Sequence, residues 1–248
     1  MLQGVGHKFR SGCMMVARQR GDAIEFVGSA FLVHAQGYLL TAAHLVTASE
    51  DLAVVPSQPS DDFLPMTAER VAVMPVSVAA RDAERDVALL RIDQNVEIGV
   101  PDDFLGNTAS VRPGASVMAL GYSFGHHRVH AVMAFDAVVS AKIRSRNGTA
   151  LILYGSAFHE GDRGGPLVHV EDGHVVGIVS GRFEPAEIVT QVPEDERLHA
   201  AETNVSYAVA IEYGLALMEQ IPELERVRAA GPVAAGPGLA AESAPTKS

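Results

Sequence analysis

Two residues of this 248-residue chain stand where an acid–base pair would stand. His44 closes the run Tyr38-Leu39-Leu40-Thr41-Ala42-Ala43-His44, just past an apolar stretch. An imidazole used as a base needs rigid backbone behind it and open space in front. Asp86 opens the run Asp86-Val87-Ala88-Leu89-Leu90-Arg91-Ile92, where a partly buried carboxylate can accept an imidazole N–H and fix its tautomer. Each has a plainer reading: a surface histidine closing a strand, and an ordinary charged strand start. A third stretch, Glu160-Gly161-Asp162-Arg163-Gly164-Gly165-Pro166, is a glycine-rich turn centred on Arg163. A guanidinium is always protonated and cannot attack a carbonyl.

The elements that must hold these residues are short apolar runs broken by Gly, Pro, Asn and Asp, the pattern of an all-β protein. Strands are predicted at 14–18, 24–33, 38–41, 52–55, 70–79, 87–92, 116–120, 129–139, 151–154, 166–169, 175–180 and 205–209. A dozen short strands in this length point to two antiparallel barrels rather than one sandwich. The Pro-, Gly- and Asn-containing segment 99–113 is the expected crossover between them. Ile211, Leu215 and Met218 mark one face of a helix after the last strand, with Pro222 expected to end it. The expected division is a lead-in at 1–12, a first barrel at 13–110, a second barrel with its C-terminal helix at 111–222, and an Ala/Gly/Pro-rich tail at 223–248. That tail has little to bury and is expected to be disordered. No internal sequence repeat is seen.

Composition excludes some functions. A formal net charge of −11 argues against a nucleic-acid partner. No apolar run reaches the ~20 residues of a membrane-spanning helix. Cys13 is the only cysteine, which excludes an intrachain disulfide, and the apolar residues after it suggest a buried thiol. The first thirty residues lack the basic-then-apolar pattern of an export signal, so the expected location is cytoplasmic, with an exported mature form left open. No cofactor or metal is expected. The cluster His126-His127-Arg128-Val129-His130 has no obvious fourth ligand and reads as a solvated loop.

Taken together, Thr41-Ala42-Ala43-His44, Asp86-Val87-Ala88-Leu89-Leu90 and Gly161-Asp162-Arg163-Gly164-Gly165-Pro166 run in the order base, acid, nucleophile. On these motifs the chain resembles the trypsin-like serine proteases of the chymotrypsin fold, of the bacterial HtrA (Deg) type. Ala119-Leu120-Gly121-Tyr122-Ser123-Phe124-Gly125 resembles the family's Gly-x-Pro-Phe-Gly turn, and Gly173 to Ser180 resembles the strand beside the substrate pocket. The likeness covers about residues 13–220. It implies two six-stranded antiparallel barrels with a cleft between them, and His44 and Asp86 in their family roles. Arg163 then occupies the position of the nucleophilic serine.

The resemblance further implies an oxyanion hole from the amides of Gly161 and Arg163, and Ser180 near the triad. Ser180, Gly181 and Arg182 would pair with an extended peptide, while Ala157, Phe158 and Val179 would line an uncharged specificity pocket with Glu160 at its rim. Three departures stand out: the absence of an Ile-Val-Gly-Gly activation sequence, no expected PDZ domain after the protease unit, and arginine in place of serine. Two functions follow. One is a pseudoprotease that binds a peptide or protein in the retained cleft. The other is an active serine endopeptidase whose residue 163 was substituted in this version.

Overall fold

A computed structural model describes residues 2–20, 23–47, 51–57, 60–65, 67, 71–156, 159–183 and 204–224. The expected tail lies outside the described residues from 225 onward.

The first six strands are β1 (Cys13–Arg20), β2 (Ala23–His34), β3 (Tyr38–Thr41), β4 (Leu52–Pro56), β5 (Met74–Asp82) and β6 (Val87–Ile92). They close into a barrel in the order β1-β2-β3-β6-β5-β4, with every pairing antiparallel. The next six are β7 (Ser116–Gly121), β8 (Met133–Arg144), β9 (Ala150–Gly155), β10 (Pro166–His169), β11 (His174–Arg182) and β12 (Val205–Ala210). Their order around the second barrel is β7-β8-β9-β12-β11-β10. The two barrels thus share one topology, a repeat that the sequence does not display.

Burial explains why some strands read clearly and others did not. All four residues of β3 are buried, and β6 is buried except at Arg91. Leu39 and Leu90 face the interior of the first barrel, while Leu40 and Leu89 join a cluster that also holds Leu120, Ile178 and Val209 of the second. Strands covered on both faces read as continuous apolar runs. Strand β8 alternates buried and exposed residues instead, and it begins at Met133 and ends at Arg144, later than the expected 129–139. Strand β5 likewise begins at Met74 rather than at residue 70.

Among the described residues, a helix flanks the barrels at either end of the chain's path. Helix α1 (Leu2–Arg10) was not expected: it contains Gly4 and Gly6, and only Val5 and Phe9 are buried. Those two lie four apart on one face and join the inter-barrel cluster, so tertiary packing overrides weak propensity. Helix α2 (Ile211–Glu219) follows β12 directly and rests between the barrels, with Gly214 against Leu40 and Ile178. It ends at Glu219, ahead of Pro222, which opens a further helical turn over 222–224. The Tyr38 hydroxyl donates to Glu223 at 2.8 Å, tying this end of the chain to the first barrel.

Candidate active site

His44 sits in a single 3₁₀ turn, Ala43–Leu45, directly after β3. Ala42, Ala43 and Leu45 are buried and anchor the turn, which lifts the imidazole into solvent. Its Nδ1 lies 2.9 Å from both carboxylate oxygens of Asp86, and its backbone N–H donates to Asp86 Oδ1 at 2.9 Å. A carboxylate only accepts, so Nδ1 carries the proton in this pair and Nε2 is left facing outward. Asp86 adopts a left-handed backbone (φ 59°) between the Asp82–Arg85 turn and the first residue of β6. That turn is fixed by the Glu84 and Arg85 amides donating to Asp82 Oδ1 at 3.1 and 3.0 Å, and by the Arg85 guanidinium on Asp82 Oδ2 at 3.0 Å.

The glycine-rich turn is clamped by both barrels. The Ser29 amide of β2 donates to the Arg163 carbonyl at 2.7 Å, and Ser29 Oγ donates to the Gly161 carbonyl at 2.7 Å. The Gly164 amide donates to the Val179 carbonyl of β11 at 2.7 Å. Gly164 has φ +85°, and a Cβ there would lie 2.0 Å from the Ser29 carbonyl oxygen. Only glycine fits such a position. Across Gly28 the two halves of the site meet: a Cβ on Gly28 would lie 2.6 Å from Leu45 Cδ1 and 2.9 Å from the Arg163 carbonyl oxygen.

Residues Glu160–Asp162 form another 3₁₀ turn, and the Arg163 amide donates back to the Glu160 carbonyl at 3.4 Å. This is one of the two amides, with that of Gly161, that the family resemblance assigns to an oxyanion hole. In this conformation it closes the turn. Asp162 is buried, accepting from Ser123 Oγ at 2.5 Å and from the His159 amide at 3.1 Å. Burial pushes its carboxyl above the usual carboxylate range, against the opposing pull of those two donors. The Arg163 guanidinium projects with a third of its side chain exposed, Nη1 3.9 Å from Glu160 Oε1, whose own side chain is 78% exposed.

The remaining expected residues fall less neatly. Ser180 is buried, but its hydroxyl donates to the Ile178 carbonyl at 3.3 Å. Gly181 and Arg182 follow a bulge in β11 and pair with Tyr207 and Ser206 of β12. The buried Val179 donates its amide to Gly165 at 2.8 Å. Ala157 and Phe158 lie outside the described residues. His126 and His127 are exposed with rings 4.0 Å apart, while His130 stacks on Tyr122 at 5.6 Å and burial lowers its pKa. Sequence reading missed Ser29, Thr41 and Ser123. Thr41 Oγ1 donates to the Ser29 carbonyl at 2.7 Å, and the Tyr122 amide donates to Ser29 Oγ at 2.9 Å. Their one signal was a small hydroxyl residue within an apolar run.

Two closed barrels and a histidine–aspartate pair beside a Gly-Asp-x-Gly-Gly-Pro turn define the class. The sequence pattern of the trypsin-like peptidase domain matches residues 28–178, and the chain belongs to that family. It is similar to a probable periplasmic serine endoprotease, DegP-like, of Pseudomonas fulva (strain 12-X), 32% identical over 160 residues. That match covers 63% of this chain and 29% of the relative. A counterpart from Hahella chejuensis (strain KCTC 2396) is 29% identical over 215 residues, covering 85% of this chain and 39% of that protein. The chain therefore spans roughly a third of the length of these relatives.

Among solved structures, the HtrA-type protease AlgW with a tripeptide aligns at TM-score 0.65 and 21% identity, over 90% of this chain and 64% of that one. The MamO protease domain from Magnetospirillum magneticum aligns at TM-score 0.59 and 18% identity, over 85% of this chain and 97% of that one. The fold is that of the HtrA-type proteases. The expected cytoplasmic location is overturned by the curated relatives, which are described as probable periplasmic endoproteases. That expectation rested on the lack of an export signal in the first thirty residues, which does not decide location when the chain spans only part of its relatives.

Proposed function

We propose that this trypsin-like, HtrA-type protease domain is a pseudoprotease: it binds peptide or unfolded protein in the inter-barrel cleft without cleaving it. The observation that carries the reading is arginine at position 163, in the turn where the family places its nucleophilic serine. Removing a triad nucleophile lowers turnover by about 10⁶-fold, which corresponds to about 8 kcal/mol of transition-state stabilisation. In this conformation the Arg163 amide is engaged by the Glu160 carbonyl at 3.4 Å.

Peptide is the class of ligand because the cleft architecture is retained, and because HtrA-type proteases of this fold have been solved with a tripeptide and a decapeptide. Peptide would lie extended along β11, with Ser180 to Arg182 beside it. The relatives' names support an extracytoplasmic setting. The second reading, an endopeptidase altered at residue 163, is favoured by one observation: His44 and Asp86 keep a 2.9 Å contact that a binding module does not require. A fluorophosphonate probe tests the reading as it stands. The unmodified chain should show no labelling, whereas stoichiometric labelling would reveal an activated hydroxyl and overturn it.

A further inference from the structure

We infer that this chain pairs with a second copy of itself, each copy placing Phe63 in a surface cavity of the other. The pairing is independent of the peptide-binding reading above.

The cavity measures about 120 Å³ and lies between α1, the turn before β1 and the inter-barrel crossover. Its apolar floor is formed by the buried Phe9, Phe31, Leu32 and Phe104, while Lys8 and Pro101 at its rim are exposed. An apolar cavity of about 150 Å³ takes up benzene, so this one suits a phenyl ring entering from the surface. Phe63 supplies such a ring. It is fully exposed (101%), the barest large apolar side chain among the described residues, and its neighbour Leu64 is exposed too. The loop that carries it is tied to α1: Arg10 donates to the Ser60 carbonyl at 3.1 Å and to the Asp61 carboxylate. Within the loop, the Asp62 amide donates to Ser60 Oγ at 3.0 Å and the Phe63 amide to Asp62 Oδ1 at 2.8 Å.

The chain itself shows how this string docks. Asp61-Asp62-Phe63-Leu64 recurs as Asp102-Asp103-Phe104-Leu105, a match too short to mark a domain repeat. In the second string both aspartates are exposed, Phe104 is buried with its ring 6.2 Å from that of Phe9, and Leu105 bridges to Val175. The partner's Phe63 would stand beside Phe104 against the same Phe9. Charge agrees at the rim. Lys8 has three donors, one of which reaches the Gly173 carbonyl at 3.5 Å, so its exposed ammonium can also receive the partner's Asp62. The net charge of −11 opposes pairing at long range, which leaves the buried ring as the anchor of the contact. Because α1 both lines the cavity and holds the loop, a two-fold axis lets the two exchanges occur together.

Sedimentation velocity over a concentration series reads the pairing. The unmodified chain should form a dimer. Phe63→Ala should weaken it about tenfold or more without lowering the melting temperature of the single chain, in which the ring is bare. In a mixture of Phe63→Cys and Val100→Cys chains, oxidation should join one of each, because Val100 lines the cavity; a dimer without that cross-link would overturn the placement of the ring. Should Phe63→Ala fail to fold, a free peptide decides on the unmodified chain. Ser-Asp-Asp-Phe-Leu-Pro should dissociate the dimer, and the same peptide with alanine for phenylalanine should not. A monomer at every concentration overturns the inference, as does a dimer that both Phe63→Ala and the peptide leave intact. A closed ring of three or more copies overturns the two-fold exchange.

Discussion

Asp162 is a carboxylate withdrawn from water and held by two donors, Ser123 Oγ and the His159 amide. Burial outweighs those donors and raises its folded pKa above the ordinary 3.8. The folded chain therefore binds more protons than the unfolded chain in the window just above 3.8, and stability at this site falls as pH rises through that window. Its contribution is most favourable below the unfolded value and least favourable at neutral pH. Melting followed from neutral pH down to the ordinary carboxylate range should show the unmodified chain gaining stability relative to Asp162→Asn. A relative loss on acidification would contradict that sign. Gly164→Ala tests the turn itself: with φ +85° and the Ser29 carbonyl oxygen 2.0 Å from the new Cβ, it should lower stability by about 3 kcal/mol in urea titration. At this scale His44, Asp86 and the Gly164-Gly165 turn were legible, because their flanking residues form unusual strings. Ser29 and Ser123 were not, since one buried hydroxyl among apolar residues carries no pattern until its partners 132 and 39 residues away are known.

Elements were legible in proportion to how completely they are buried. Strands β3, β6 and β10, almost wholly covered, had the boundaries expected of them. Strands β5 and β8 face solvent on one side, and their ends shifted because alternating residues mark a strand's existence better than its limits. Helix α1 escaped because its two buried residues gain meaning only against the inter-barrel cluster. Helix α2 depends on a side chain at its own start. Glu212 Oε1 accepts from the Thr108 amide and hydroxyl, both at 2.7 Å, joining the helix to the inter-barrel crossover. Glu212→Ala should leave the Thr108 donors without that acceptor and lower stability by about 1–2 kcal/mol, read from chemical denaturation. No change would mean that water replaces the carboxylate without loss.

The whole molecule is joined by one apolar cluster shared between barrels, with Leu40 and Leu89 on one side and Ile178 and Val209 on the other. That continuity predicts a single cooperative unfolding transition. Leu40→Ala should cost about 2–5 kcal/mol and shift the transition as one, and two separated transitions would show that the barrels unfold independently. We propose that this cleft is a trypsin-like peptidase site that lacks the serine at position 163. Arg163→Ser tests it most directly, with casein as an unstructured substrate and Arg163→Ser combined with His44→Ala as control. The single variant should cleave casein and take up a fluorophosphonate, and the double variant should do neither. A well-folded Arg163→Ser chain that neither cleaves nor labels would contradict the claim and show that the cleft was rebuilt beyond residue 163.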